Sequence, residues 1–313
     1  MKTWIKQEIQ HKSYPALSKS LETLSGEVLY SSNQLCNKIK SYAQEATIGT
    51  IKPYNGMQLF IPFAESNIDI YDTNSAEILV FDDAIGVKRQ KEKRVKTYKK
   101  EFKTVQTDII EVQKPSGGFE YITGGYGVNF WNIETALLCW ICFNYQYKNG
   151  IAWQLPIVAI TDGAKTIRLR LWAIFGGQVT IILDWYHLNK KMRELLSMIA
   201  WGKKDKEGIL KIVMPLLWEG ETKKCLEHLA TLKPRNQEKF DELIEYLTKH
   251  EKEIINYHKR KASGKTIGSG RSEKGVDLVV AQRQKNKPIA WSEGGSHALS
   301  VLRADDLNNR LAA

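Results

Sequence analysis

Three runs of aliphatic and β-branched residues each stop on a carboxylate: "AEILVFDD" at 76–83, "LPIVAITDG" at 155–163 and "QVTIILD" at 178–184. Apolar runs of this length, with no polar residue alternating through them, fit strands buried on both faces. Two further segments lie between the first two runs: "FKTVQTDIIEVQ" (102–113), which alternates in part, and "GGFEYITGG" (117–125). Helical patterns fill the remaining gaps, in "FWNIETALLCWICFNYQY" (130–147), "IRLRLWAIF" and "NKKMRELLSMIAWG". Three meander strands followed by helix–strand–helix–strand–helix predict an α/β fold with a five-stranded sheet of mixed direction, flanked by helices.

The ends of the chain read differently. Residues 13–45 carry helical spacing in Leu17, Leu21 and Leu24, then a Ser25-Gly26 break, then a second helix capped by Ser31 or Ser32. Two short helices joined by a glycine-containing link fit a DNA-reading helix-turn-helix, so residues 1–50 are expected to be an N-terminal helical region. A linker with Pro53, Asn55 and Gly56 precedes the first strand. From 203 to about 260 everything is amphipathic helix, and a glycine-rich loop then leads to "SEKGVDLVVAQRQK" with Glu273 in its first turn. The expected organisation is a core beginning at 75–202, an all-helical segment at 203–262, and the rest of the core at 263–313.

At 313 residues and 42% hydrophobic, the chain can bury a full core. Its longest apolar run, "ALLCWICF" at 136–143, is too short to span a bilayer, and the first residues lack the apolar centre of a signal peptide. A soluble, cytoplasmic protein with no membrane partner is expected. Four cysteines without framework spacing suit a reducing compartment. Cys139 and Cys142 have CxxC spacing but no second pair, so they are expected to be buried helix thiols and not zinc ligands. The net charge of +11 is concentrated in "VKRQKEKRVKTYKK" (87–100) and "HKRKASGKTIGSGRSEKG" (258–275). Clustered cations favour a polyanion, because each neutralised phosphate releases counterions.

Carboxylates stand where a sheet-based site needs them: Asp82 or Asp83 after the first strand, Asp162 after the fourth, and Glu273 on the late helix. Acidic groups converging at strand ends repel one another unless cations lie between them, and oxygen-only donors suit hard ions such as Mg²⁺ or Mn²⁺. Two such ions could activate a nucleophile and stabilise the leaving oxygen of a phosphodiester. "Asp184-Trp-Tyr-His187" leaves three readings open: half a metal site, an acid–base pair, or a strand-end Asp capping the next helix.

In order and spacing, residues 76–304 resemble the DDE transposases of bacterial insertion sequences, within the Mutator-like group. The matching elements are Asp83-Ala-Ile-Gly-Val87 with Gln90, Asp162-Gly163, Asp184-Trp-Tyr-His187, and Gly268-Ser-Gly-Arg-Ser-Glu273; Arg283, Lys285, Trp291-Ser292 and "HALSVLRA" continue the series. The resemblance implies an RNase H-like core interrupted by an all-helical insertion, with the first strand between the second and fourth and the fifth beyond the fourth. It implies that Asp83, Asp162 and Glu273 are catalytic and hold two Mg²⁺ or Mn²⁺ ions. A carboxylate on the fourth strand can share a metal with the first strand, whereas one on the fifth is nearer 10 Å away. Asp162 is therefore preferred to Asp184. Strand alternation sends Asp82 and Asp83 to opposite faces, and the four-residue step to Val87 favours Asp83. Asp82, Asp184 and His187 are then expected to support the ligands from behind.

Lys88, Arg89, Lys91, Arg271, Arg283 and Lys285 are expected to hold DNA phosphates, with Trp291 either stacking on an unpaired base or packing internally. The implied activity is cleavage at the terminal inverted repeats of the element and transfer of the freed 3′-hydroxyl to target DNA, by a homo-oligomer associated with the bacterial nucleoid. Two other readings use the same features: an RNase H-like, structure-specific nuclease, and a DNA-binding remnant or regulator without catalysis.

Overall fold

The computed structural model describes residues 1–57, 69–90, 104–129, 131–147, 155–285 and 289–312. It contains five strands: β1 (Ile78–Lys88), β2 (Thr104–Gln113), β3 (Phe119–Thr123), β4 (Ile157–Thr161) and β5 (Val179–Leu183). They form one mixed sheet in the order β3-β2-β1-β4-β5, flanked by helices, so the expected strand order is observed. β2 and β3 are antiparallel, with Glu111 opposite Tyr121. β1 and β4 are parallel, with Phe81 opposite Ile160, and β4 and β5 are parallel, with Thr161 opposite Leu183. β1 does not stop at its two carboxylates. Ile85 and Val87 continue the buried alternation to Lys88, which places Asp82 and Asp83 mid-strand.

The chain divides into two compact units. One comprises Met1–Ile61, Asp82–Trp153 and Arg271–Ala313, and the other Pro62–Phe81 and Gln154–Gly270. In the first, α2 (Tyr14–Ser25) and α3 (Ser32–Ile51) are the two helices expected from the sequence. Gly26 ends α2 at φ 79°, a left-handed position open to glycine, and Ser31 starts α3 with Gln34 in a reciprocal capping box. A further helix, α1 (Lys2–Glu8), precedes them. All three share one core with Ile85, Val87, Val105, Ile109, Val279, Val280, Trp291, Leu299 and Leu302, the last two on α12 (Glu293–Ala312). α4 (Ile133–Ile141) runs into a π-helical turn at Cys142–Tyr147, and Cys139 and Cys142 are buried thiols there.

In the second unit, α5 (Lys165–Phe175) follows β4 and α6 (Trp185–Ile199) follows β5. Residues beyond α6 are helical as expected: α7 (Lys203–Trp218), α8 (Thr222–Ala230), α9 (Gln237–Lys249) and α10 (Tyr257–Ala262). Trp185, Trp218 and Tyr257 pack as an aromatic trio with centroids 4.7–6.1 Å apart, and the Tyr257 hydroxyl donates to Leu183 O at 2.7 Å. This seam fastens the helices to the end of β5. α11 (Gly270–Val276) continues into a second π-helical stretch, Asp277–Lys285. Among the described residues, no helix is long and apolar enough to cross a membrane.

Candidate functional site

The turn after β4 is built around Asp162 and Gly163. Asp162 is exposed and its Oδ1 accepts the Ala164 N–H at 2.8 Å, so the carboxylate opens the turn into α5. Gly163 has φ 85°, and a Cβ there would stand 2.9 Å from both His250 Cε1 and Leu183 Cδ1. The glycine of the D-G pair is therefore required twice, by backbone conformation and by close packing. His250 is buried beside this turn, its Nδ1 2.5 Å from Glu253 Oε2, while Arg168 Nε lies 2.6 Å from Glu253 Oε1. This Arg168–Glu253–His250 chain, with Glu253 and His250 buried and Arg168 half-buried, was missed in the sequence. Its one local signal is the i, i+3 spacing of His250 and Glu253, which many surface helices share.

Asp184 is the N-cap of α6, the role that the third reading of the D-x-x-H motif gives it. Its Oδ1 accepts the N–H groups of Tyr186 (2.5 Å) and His187 (3.2 Å). Its Oδ2 accepts both the N–H and the hydroxyl of Ser269, and His187 Nδ1 stands 3.4 Å away. Burial pushes this carboxyl up, but the hydrogen bonds from His187 and Ser269 outweigh it and hold the pKa down at about 2. A Cβ at Gly268, before Ser269, would stand 2.8 Å from the Tyr186 ring, so a side chain there requires that ring to shift. The G-S-G loop and the D-x-x-H motif, 85 residues apart, are thus one joint.

The remaining candidates fall in the first unit. Asp82 is buried on β1, and Asp83 is half-buried with Oδ1 accepting the Ala84 N–H at 2.7 Å. Glu273 is exposed in the first turn of α11. Arg271 lies over the Phe119 ring at 3.9 Å and pairs with Glu111 Oε1 at 3.2 Å. Burial raises the Glu111 pKa, opposed by the Arg271 charge. Lys88 and Lys285 are exposed, Arg89 pairs with Glu293 at 3.3 Å, and Lys91 lies outside the described residues.

Burial bears on two of the residues considered for DNA contact, Arg283 and Trp291. Arg283 is 4% exposed: its Nε and Nη2 donate to Ile9 O (3.0 Å) and Lys12 O (2.7 Å), and its guanidinium stacks on Trp291 at 4.9 Å. Nε and Nη2 are engaged by the end of α1 and the turn after it, Nη1 is buried without a hydrogen-bond partner, and burial of the whole side chain withdraws it from a phosphate. Trp291 is itself buried and its Nε1 donates to Gln284 O at 3.2 Å, so it is the packing residue and not a platform for a base. The basic run at 258–275 is likewise partly internal. Arg260 is fully buried and binds Glu77 through both terminal nitrogens, while Lys265 reaches Glu77 at 3.2 Å.

Among the described residues, no group of three or more His, Cys, Asp or Glu side chains is arranged to hold a metal ion. No family model, curated protein or solved structure matches this chain.

Proposed function

We propose that the chain is a DDE-type DNA transposase of an insertion sequence, with an RNase H-like core interrupted by a helical insertion. The observation that carries this reading is the Asp184–Ser269 joint. The helical stretch leaves the sheet at Asp184 and returns to the same carboxylate, as a segment inserted between a fifth strand and a last core helix would. The strand order β3-β2-β1-β4-β5 adds support.

Asp83, Asp162 and Glu273 would hold two Mg²⁺ or Mn²⁺ ions. The donor set is of the right chemistry, being oxygen-only, with Asp162 and Glu273 exposed and Asp83 half-buried, but among the described residues it is not gathered into a ready metal cage. Mg²⁺ commonly keeps several waters and takes one or two carboxylates together with substrate phosphates, so a ready-made protein cage is not required. When bound, such ions activate the attacking hydroxyl and stabilise the leaving oxygen of a phosphodiester. The chain's own residues would set the frame: the Gly163 turn fixes the Asp162 backbone, and the Ser269–Asp184 bonds fix the G-S-G loop to the start of α6.

The test is a gel assay on DNA carrying the sequences that flank the coding region, with Mg²⁺ or Mn²⁺ present. The wild-type chain is expected to nick the DNA and join the 3′ end to a target, while Asp162→Ala and Glu273→Ala reduce cleavage to background and leave DNA binding in place. Full cleavage by both variants would remove the triad, and cleavage without joining would make the protein a nuclease.

A further inference from the structure

The solvent face of α6 is not accounted for by the cleavage site. Tyr186, Asn189, Lys190, Arg193 and Ser197 recur at helical spacing along it, and with Lys206 at the start of α7 they line a shallow concavity of about 450 Å³. Eleven residues separate Tyr186 from Ser197, a strip of about 16 Å at 1.5 Å per residue. Tyr186 is 65% exposed, and one edge of its ring lies beside Gly268.

The cations on this face have neutral neighbours. Arg193 Nε donates to the Asn189 amide oxygen at 2.6 Å, Lys206 to the Ser197 hydroxyl, and Lys190 makes no ion pair among the described residues. Glu194 is the one acidic residue in the lining and forms no ion pair among the described residues. Some other cations of the same unit are neutralised: Lys191 by Glu242 at 2.7 Å, Arg168 by Glu253, and Arg260 and Lys265 by Glu77. Three cations against one carboxylate around a concavity, with an exposed aromatic ring beside them, match a polyanion that also presents flat π-faces.

We propose that this face of α6 binds single-stranded nucleic acid, with Lys190, Arg193 and Lys206 on successive phosphates and a base stacked on Tyr186. Charge alone would suit a duplex equally well; the exposed ring beside the cations favours unpaired strands. The surface stands apart from the proposed cleavage, since it uses none of Asp83, Asp162 and Glu273.

The test is fluorescence anisotropy of a labelled thymidine 20-mer with the full chain in EDTA, so that the outcome does not depend on cleavage. Lys190→Gln, Arg193→Gln and Lys206→Gln together are expected to lower the slope of log affinity against log salt by about 2, at about 0.7 per phosphate contact on a single strand. Tyr186→Leu is expected to weaken binding roughly tenfold and Tyr186→Phe to retain it. An unchanged salt slope in the triple variant, equal binding by Tyr186→Leu and the wild type, or preferential binding to anionic phospholipid vesicles would each overturn the proposal. Loss of cleavage in Asp162→Ala with α6-dependent binding unaltered would leave both readings standing. Failure of the wild-type chain to cleave would count against the first reading alone.

Discussion

At Asp184 the two carboxylate oxygens do separate jobs: Oδ1 caps α6, and Oδ2 receives both donors of Ser269. The side chain is 2% exposed, so these bonds are little screened by solvent. Its folded pKa of about 2 lies below the ordinary 3.8. A depressed carboxylate pKa contributes stability that is complete above the unfolded value and is lost as pH falls through the folded one. The window here runs from about pH 4 down to about pH 2, and the contribution is about 2 kcal/mol. Asp184→Asn keeps a good cap but cannot ionise. Urea midpoints at pH 5 and pH 2.5 should therefore fall further for the wild type than for the variant, and parallel falls would refute the assignment. The capping option was legible in D-x-x-H because a polar residue before an apolar-periodic run signals a helix start. Ser269 was not, because nothing local to either motif encodes a partner 85 residues away.

Among the elements, strands were read best where burial leaves a simple pattern: β4 and β5 lie inside the runs expected for them. β1 was read too short because two acids looked like an end, although Ile85 and Val87 carried the alternation onward. The π-helical turns at Cys142–Tyr147 and Asp277–Lys285 left no signal, since an extra residue in a helical turn is set by packing and not by composition. α10 is fastened by Arg260, which also donates to Ile70 O (2.9 Å) and Thr266 O (2.8 Å) besides Glu77. Removing one partner of a buried ion pair strands the other, although Lys265 keeps part of the Glu77 charge compensated here. Arg260→Met should cost about 3 kcal/mol in urea denaturation. Adding Glu77→Gln should recover part of that loss. If the double variant is as unstable as the sum of the singles, the pair is not coupled.

For the whole molecule, a net charge of +11 counts every cation alike, whereas the structure divides them. Arg260, Lys265 and Arg283 are committed to internal partners, so sequence clustering overstated the cationic surface that a polyanion can reach. Arg283 makes the division measurable. Because its guanidinium sits in the core on two carbonyls and an indole, Arg283→Met should leave the salt concentration for elution from heparin unchanged, while lowering stability by about 2–4 kcal/mol. Lys190→Gln with Arg193→Gln should do the reverse, because both side chains are exposed and unpaired with any carboxylate among the described residues. Surface charge acts on association through counterion release, and buried charge acts on folding through desolvation and hydrogen bonding, so the two variants separate the two effects in one chain. Earlier elution of Arg283→Met with undiminished stability would mean that this arginine faces the polyanion after all.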